Sequence, residues 1–417
     1  MRATPCLILL ACLASLPAAA QAVTTRPTSE TQVVVRGGAG DQAVALWPNP
    51  GTPAQSLVVV ADSAVGLTTY RLDGTEWEVF QGEVAFGVDA RAGFALPGAT
   101  VPLVVVANGT RRALLAYVVD PVTLKLRRVD TDTLRVTNFE PRTVALYRSA
   151  TGQFHAFAAN NAGDVQQFEL RSDDGGVGGA PVRNFSVGGA VTGAVADDSQ
   201  GVLFVAQQNT GIWRYSAEPN GGLTRTAVAT AGQGGLSAPL GGLALYTLPN
   251  GEGYLLAASA GGDQVVVYQR QPPHNQVGSF RVDATANGDI DQVTDPRSLV
   301  ASSVTMGTAF PGGLVAIHDT LNSPAQNHKL VAWRDVANAF NPPLRINGQA
   351  TTVDGGVTDG GTGDGGTRDG GGGGNHVPGG GGTIDPSDTG CNCATASVSG
   401  TVLFVLLGLA LRGRRRR

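Results

Sequence analysis

Between about residue 30 and residue 347, short apolar runs alternate with clusters of Gly, Asp, Asn and Pro, and no helical period is sustained. Six of the runs look alike. They are LVVVADSAVGLTTYRL from Leu57, LVVVANGTRRALLAYVV from Leu103, HAFAANNAGDVQQFEL from His155, VLFVAQQNTGIWRYS from Val202, YLLAASAGGDQVVVYQR from Tyr254 and GLVAIHDTLN from Gly313. Each pairs an apolar strand with a polar turn, and in the first five an alternating strand rich in aromatic residues follows. The sixth has a longer insertion before its return strand, HKLVAW, which ends at Trp333. Unit starts fall roughly 45 to 60 residues apart, the spacing of four-stranded propeller blades. A lone blade leaves both faces bare, so units of this kind bury their apolar surface by stacking around an axis. The pattern therefore predicts an all-β, six-bladed propeller over residues 30–347. The alternative, a two-sheet sandwich, is short for about 320 residues and leaves the repeat without a cause.

The two ends read differently. Residues 1–22 carry a basic start at Arg2, an apolar stretch from Cys6 to Leu16 and a run of small residues ending at Ala22, the pattern of a cleaved signal peptide. Leu9, Leu10, Ala11 and Cys12 also read as a lipobox, with a shorter apolar region before it. Residues 348–390 turn into Gly and Asp repeats with almost no large apolar side chain, so they form a flexible stalk rather than a core. An aspartate-rich calcium repeat is the competing reading, but the apolar residue that such repeats stack inward is missing. Residues 391–417 hold Cys391 and Cys393, an apolar run from Val398 to Leu411 and a terminal arginine cluster. That combination resembles the myxobacterial type of C-terminal sorting tail, with Cys391 and Cys393 as anchor residues. A single-pass anchor held by its arginines is the alternative. Both place the body outside the cell, secreted and surface-attached, with the tail engaging membrane or sorting machinery.

All four cysteines, Cys6, Cys12, Cys391 and Cys393, lie in these end segments, so the body forms no disulfide and no thiolate metal site. A net charge of -4 without a basic face argues against nucleic acid. The five histidines lack zinc-ligand spacing, and no nucleophile elbow or P-loop string is present.

Three stretches carry a family resemblance. GDQAVALWPNPGTPAQSLVVVADSAVGLTTYRLDG from Gly40, the segment from Phe139, Glu140 and Pro141 to Leu170, and above all ADDSQGVLFVAQQNTGIWRYSAEPNGG from Ala196 to Gly222 resemble the β-propeller phytases. The resemblance implies a calcium-loaded acidic rim that binds inositol phosphates and lets water attack a phosphate ester. It implies calcium ligands at Asp41, Asp89, Glu140, Asp295 and Asp319. It also brings Arg91, Arg111, Arg142 and Lys329 to or near phosphate-binding positions. Calcium takes six to eight oxygens, several of them charged. Here the chain departs from the family. A Lys-Glu pair of the third blade falls on Asn161 and Ala162, and glutamates fall on Thr192, Gln207, Gln208 and Gly241. Two functions are therefore expected: a calcium-dependent phosphomonoesterase acting on myo-inositol hexakisphosphate, weakened by the missing acids, or a catalytically inactive surface propeller that binds an anionic ligand or a protein.

Overall fold

A computed structural model describes residues 21–33 and 40–348. Most of the expected leader, the expected stalk beyond Gly348 and the expected tail with Cys391 and Cys393 lie outside the described residues. Six sheets follow one another, each built around four strands. The innermost strands, in order, are Gln42–Trp47, Ala85–Leu96, Thr143–Arg148, Val191–Asp197, Leu240–Thr247 and Leu299–Ser302. Each touches the next, and the sixth touches the first, so the sheets are blades of a closed ring. The two-sheet sandwich is thereby set aside.

The first five repeated runs are the second and third strands of their blades; the sixth is the second strand of blade 6, whose third strand carries the return segment HKLVAW. Leu57–Asp62 in blade 1 is buried along its whole length, as are Phe154–Ala159 in blade 3 and Leu314–Asp319 in blade 6. A strand covered on both faces reads as a continuous apolar run, which is why these hairpins stand out in the sequence. Outermost strands face water. Glu76–Gln81 in blade 1 buries no residue fully and shows no such pattern.

Six apolar clusters hold the ring, one between each pair of neighbouring blades. The closing wedge sets Leu314, Ala316 and Leu330 of blade 6 against Val44, Val58 and Val60 of blade 1. Closure also uses the start of the chain, seven residues earlier than the sequence pattern suggests. Val23–Thr25 runs parallel to Gln276–Val282 as a fifth strand of blade 5, and Ser29–Glu30 pairs antiparallel with Asn327–Ala332 as the outer strand of blade 6. Past the last strand, the helix Trp333–Ala339 packs on blades 5 and 6. Trp333 stacks on Tyr246 at 3.8 Å between ring centres, and its indole donates to the Arg345 carbonyl.

Three innermost strands bulge near their start, with register shifts at Ala85/Gly87, Val191/Gly193 and Leu240/Leu243. A bulge bends the strand toward the axis and brings neighbouring backbones close. A side chain at Gly241 would place its Cβ 2.7 Å from the Arg297 carbonyl oxygen, and one at Gly193 would meet Gly242 Cα at 2.6 Å. Glycine at these positions lets the blades converge around the axis.

Candidate functional site

The innermost strands enclose an axial cavity of about 950 Å³, a size suited to a small-molecule ligand. Its charged lining consists of four aspartates, Asp41, Asp89, Asp197 and Asp198, and four arginines, Arg91, Arg142, Arg270 and Arg297. Every one of these aspartates has an arginine beside it. Asp41 lies 3.2 Å from Arg142. Asp89 and Asp198 flank Arg91 at 3.8 and 3.6 Å. Asp197 accepts two bonds of 2.6 Å from Arg270.

Two levels can be distinguished along the axis. At the mouth, Asp41 and Arg142 immediately precede the innermost strands of blades 1 and 3, and their ion pair bridges them. The guanidinium of Arg142 rests over Phe86 of blade 2, 4.1 Å from the ring centre. Arg297, just before the innermost strand of blade 6, is held at 2.8 Å by Asp295. Deeper in, Asp89 accepts the Leu146 amide of blade 3 at 2.7 Å, and Asp198 accepts that of Arg148 at 3.1 Å. Burial pushes the carboxyl groups of both Asp89 and Asp198 up, against the pull of Arg91. Arg91 itself donates to the carbonyls of Leu146 and Ala196, so this group ties blades 2, 3 and 4 together.

Of the residues expected at the site, the structure thus brings Asp41, Asp89, Arg91 and Arg142 to the cavity. The others do not line it. Arg111 forms a two-pronged pair with Glu83 at 2.9 Å for both contacts, beside Arg128. Glu140 is exposed. Asp295, with a left-handed backbone at φ 52°, is committed to Arg297 and receives no place in the lining. Lys329 is the largest departure from expectation, since its side chain is 0% exposed. Its ammonium donates to Glu30 at 2.6 Å, to Asn322 at 2.8 Å and also to Asp291, and it sits 3.4 Å from Asp319. Burial works against its charge, but the bonds to Asp291 and Glu30 outweigh that and raise its pKa. A lysine held in this way is a structural cation and not a phosphate contact.

Sequence reasoning missed Arg297, Arg270, Asp197, Asp198 and Phe86. The adjacent acids of Ala196, Asp197, Asp198 stood in the best-matching segment, and their place at the end of an innermost strand was the available signal. His318 also reaches the cavity wall. Its Nε2 meets Gln326 Oε1 at 3.0 Å, its ring stacks on His328, and burial pulls its pKa down to about 4.

The donor set at the mouth does not fit a calcium cluster. Asn161, Thr192, Gln208 and Gly241, four of the positions at which the sequence resemblance places family charges, line the cavity. Gln207 instead turns into its own blade and accepts the Trp213 indole at 2.7 Å. Neutral amides and hydroxyls supply little of the charge that calcium requires. Among the described residues, no group of three or more His, Cys, Asp or Glu is arranged to hold a metal.

Comparison with known proteins decides the lineage. The phytase family model matches residues 3–353. The chain belongs to the phytase family. A 3-phytase from Bacillus subtilis is 30% identical over 322 residues, covering 74% of this chain and 83% of that protein. Among solved structures, AofleA from Arthrobotrys oligospora matches with 10% identity and a TM-score of 0.45 over 75% of this chain and 92% of its own. A chain of the nidogen/laminin complex matches with 12% identity and a TM-score of 0.40 over 67% and 84%. Phytases generally use calcium; in this chain each aspartate lining the cavity lies beside an arginine.

Proposed function

We propose that this phytase-family propeller binds a phosphorylated small molecule, an inositol polyphosphate first among candidates, in its axial cavity, and hydrolyses it weakly or not at all. The observation that carries this reading is the pairing of every lining aspartate with an arginine, while no glutamate lines the cavity. Arginine forks match the oxygens of a phosphate group two at a time. Arg142 is stacked on Phe86 and Arg297 is oriented by Asp295, so both present preset donors at the mouth. A ligand phosphate would replace Asp41 as the partner of Arg142, and Thr192, Gln208 and Asn161 would add neutral hydrogen bonds. Without charged calcium ligands, these residues bind and orient a phosphate ester but supply little of the extra stabilisation that its transition state needs.

The leader and the tail support an extracellular, surface-attached protein. Calorimetric titration of the full chain with myo-inositol hexakisphosphate in EDTA tests the binding claim. Saturable binding that Arg142→Ala weakens about tenfold or more, a loss of about 1.4 kcal/mol, is expected. Absence of binding with and without calcium would overturn this reading and leave the inactive scaffold, with another ligand or a protein as its partner.

A further inference from the structure

The oxygens around the buried end of Lys329 outnumber what an ammonium can use. Lys329 has three N–H donors, yet Glu30, Asp291, Asp319, Asn322 and Asn327 all turn an oxygen toward its nitrogen. Three of the five are carboxylates, so one positive charge faces three negative ones. Asp319 Oδ2 is buried and has no hydrogen-bond partner. The accepting oxygens come from separate parts of the chain: Glu30 from the N-terminal strand, Asp291 from the loop before blade 6, and the rest from blade 6 and its loop. With the ammonium at their centre these groups form no metal site, but five such oxygens, three of them charged, would need only one or more waters to make up the six to eight that a calcium ion gathers.

We propose that Lys329 is a resident cation: the chain's own ammonium fills an oxygen cage of divalent-cation type and thereby locks the N-terminal strand onto blade 6 without calcium. Asp319, expected as a calcium ligand, is occupied by this lysine, which is why the ring can close metal-free. The inference is independent of what the axial cavity binds, because none of the six residues lines that cavity.

The test removes the ammonium and offers calcium in its place. Lys329→Ala vacates the centre of the cage and leaves its acids unbalanced, so in EDTA its melting temperature should fall by roughly 5–10 °C. Calcium at about 5 mM, above the range of weak extracellular sites, should restore at least half of that loss, because a ligand that binds only the folded state stabilises it. The wild type should shift by less than about 1 °C under the same change. Lys329→Met keeps the stem in the cage, so it should lose stability and not respond to calcium. A Lys329→Ala protein that ignores calcium, or stays unfolded in calcium as well as in EDTA, overturns the proposal. So does a wild type stabilised by calcium as much as the variant.

Discussion

The arginines beside the four cavity aspartates perform different work according to depth. Asp197 and Arg270 are 0% and 4% exposed, and Arg270 also reaches Ser199 and the Glu252 carbonyl. Removing one partner of such a pair leaves an uncompensated buried charge, so Arg270→Ala should cost about 3–5 kcal/mol in urea unfolding. Arg142 and Asp41 are partly solvated, and Arg142→Ala should cost under about 1 kcal/mol while affecting ligand binding. Burial raises the pKa of Asp197, but the hydrogen bonds and charge of Arg270 more than reverse this, leaving it below the ordinary value. Its stabilisation is therefore present above the usual carboxylate range and lost as the pH falls through the lowered native value. His318 acts in the same direction at higher pH. With its native pKa near 4 and an ordinary value of 6.5, the unfolded chain takes up a proton first as acid is added. Stability is whole above about pH 6.5 and declines toward pH 4, at up to about 1.4 kcal/mol per pH unit for one proton. The pH dependence of the urea midpoint should be shallower by close to one proton in His318→Gln. Gly241 shows why a lost carboxylate is not simply restored. With its Cβ position 2.7 and 2.8 Å from the carbonyls of Arg297 and Pro296, Gly241→Glu should destabilise by about 1–3 kcal/mol, whereas Thr192→Glu should be tolerated within about 1 kcal/mol.

At the scale of elements, what the sequence reveals depends on burial. The second strands are covered on both faces and declared themselves, so all six hairpins were legible. Val23–Thr25 and Ser29–Glu30 are too short to carry a pattern, and their role exists only through distant partners, Phe280–Val282 for the first and Lys329–Leu330 for the second. The helix Trp333–Ala339 has seven residues and no side-chain cap, so it gives no start signal. Of the best-matching stretch, Asp197 and Asp198 reach the cavity, but its GIWRYSAEPNGG core is a joint between blades. Glu218 of GIWRYSAEPNGG is bonded by Tyr147 of blade 3, and Arg183 of blade 3 donates to the carbonyls of Ser216 and Glu218. A specific motif can thus report the fold while saying little about the site. Deleting residues 21–31 should expose the edge of Asn327–Ala332. Hydrogen exchange should then lose protection in blade 6 while Phe154–Ala159 of blade 3 stays protected, and uniform loss or no loss would argue against a local clasp.

For the molecule as a whole, ring closure gathers charges that lie far apart in sequence, and only some of the resulting groupings could be read beforehand. Asp41, Asp89, Arg91 and Arg142 were visible through family positions, but their pairing depends on which innermost strands adjoin. Lys329 and Asp319 were visible as charges, and their contact follows from the pairing of Leu314–Asp319 with Asn327–Ala332, whereas the part of Glu30 required knowing that blade 6 meets the N-terminal strand. The absence of acids at Asn161, Thr192, Gln208 and Gly241 was legible from the outset, and the structure places all four around one opening. Under the proposed function, this opening lacks the charge to assemble a calcium-dependent phosphatase. The most direct test is the initial rate of phosphate release from myo-inositol hexakisphosphate by the full chain, in saturating calcium and in EDTA. The account predicts a rate well below about 1 per second and little difference between the two conditions, whereas calcium-dependent turnover in the ordinary enzyme range of about 1–1000 per second would contradict it.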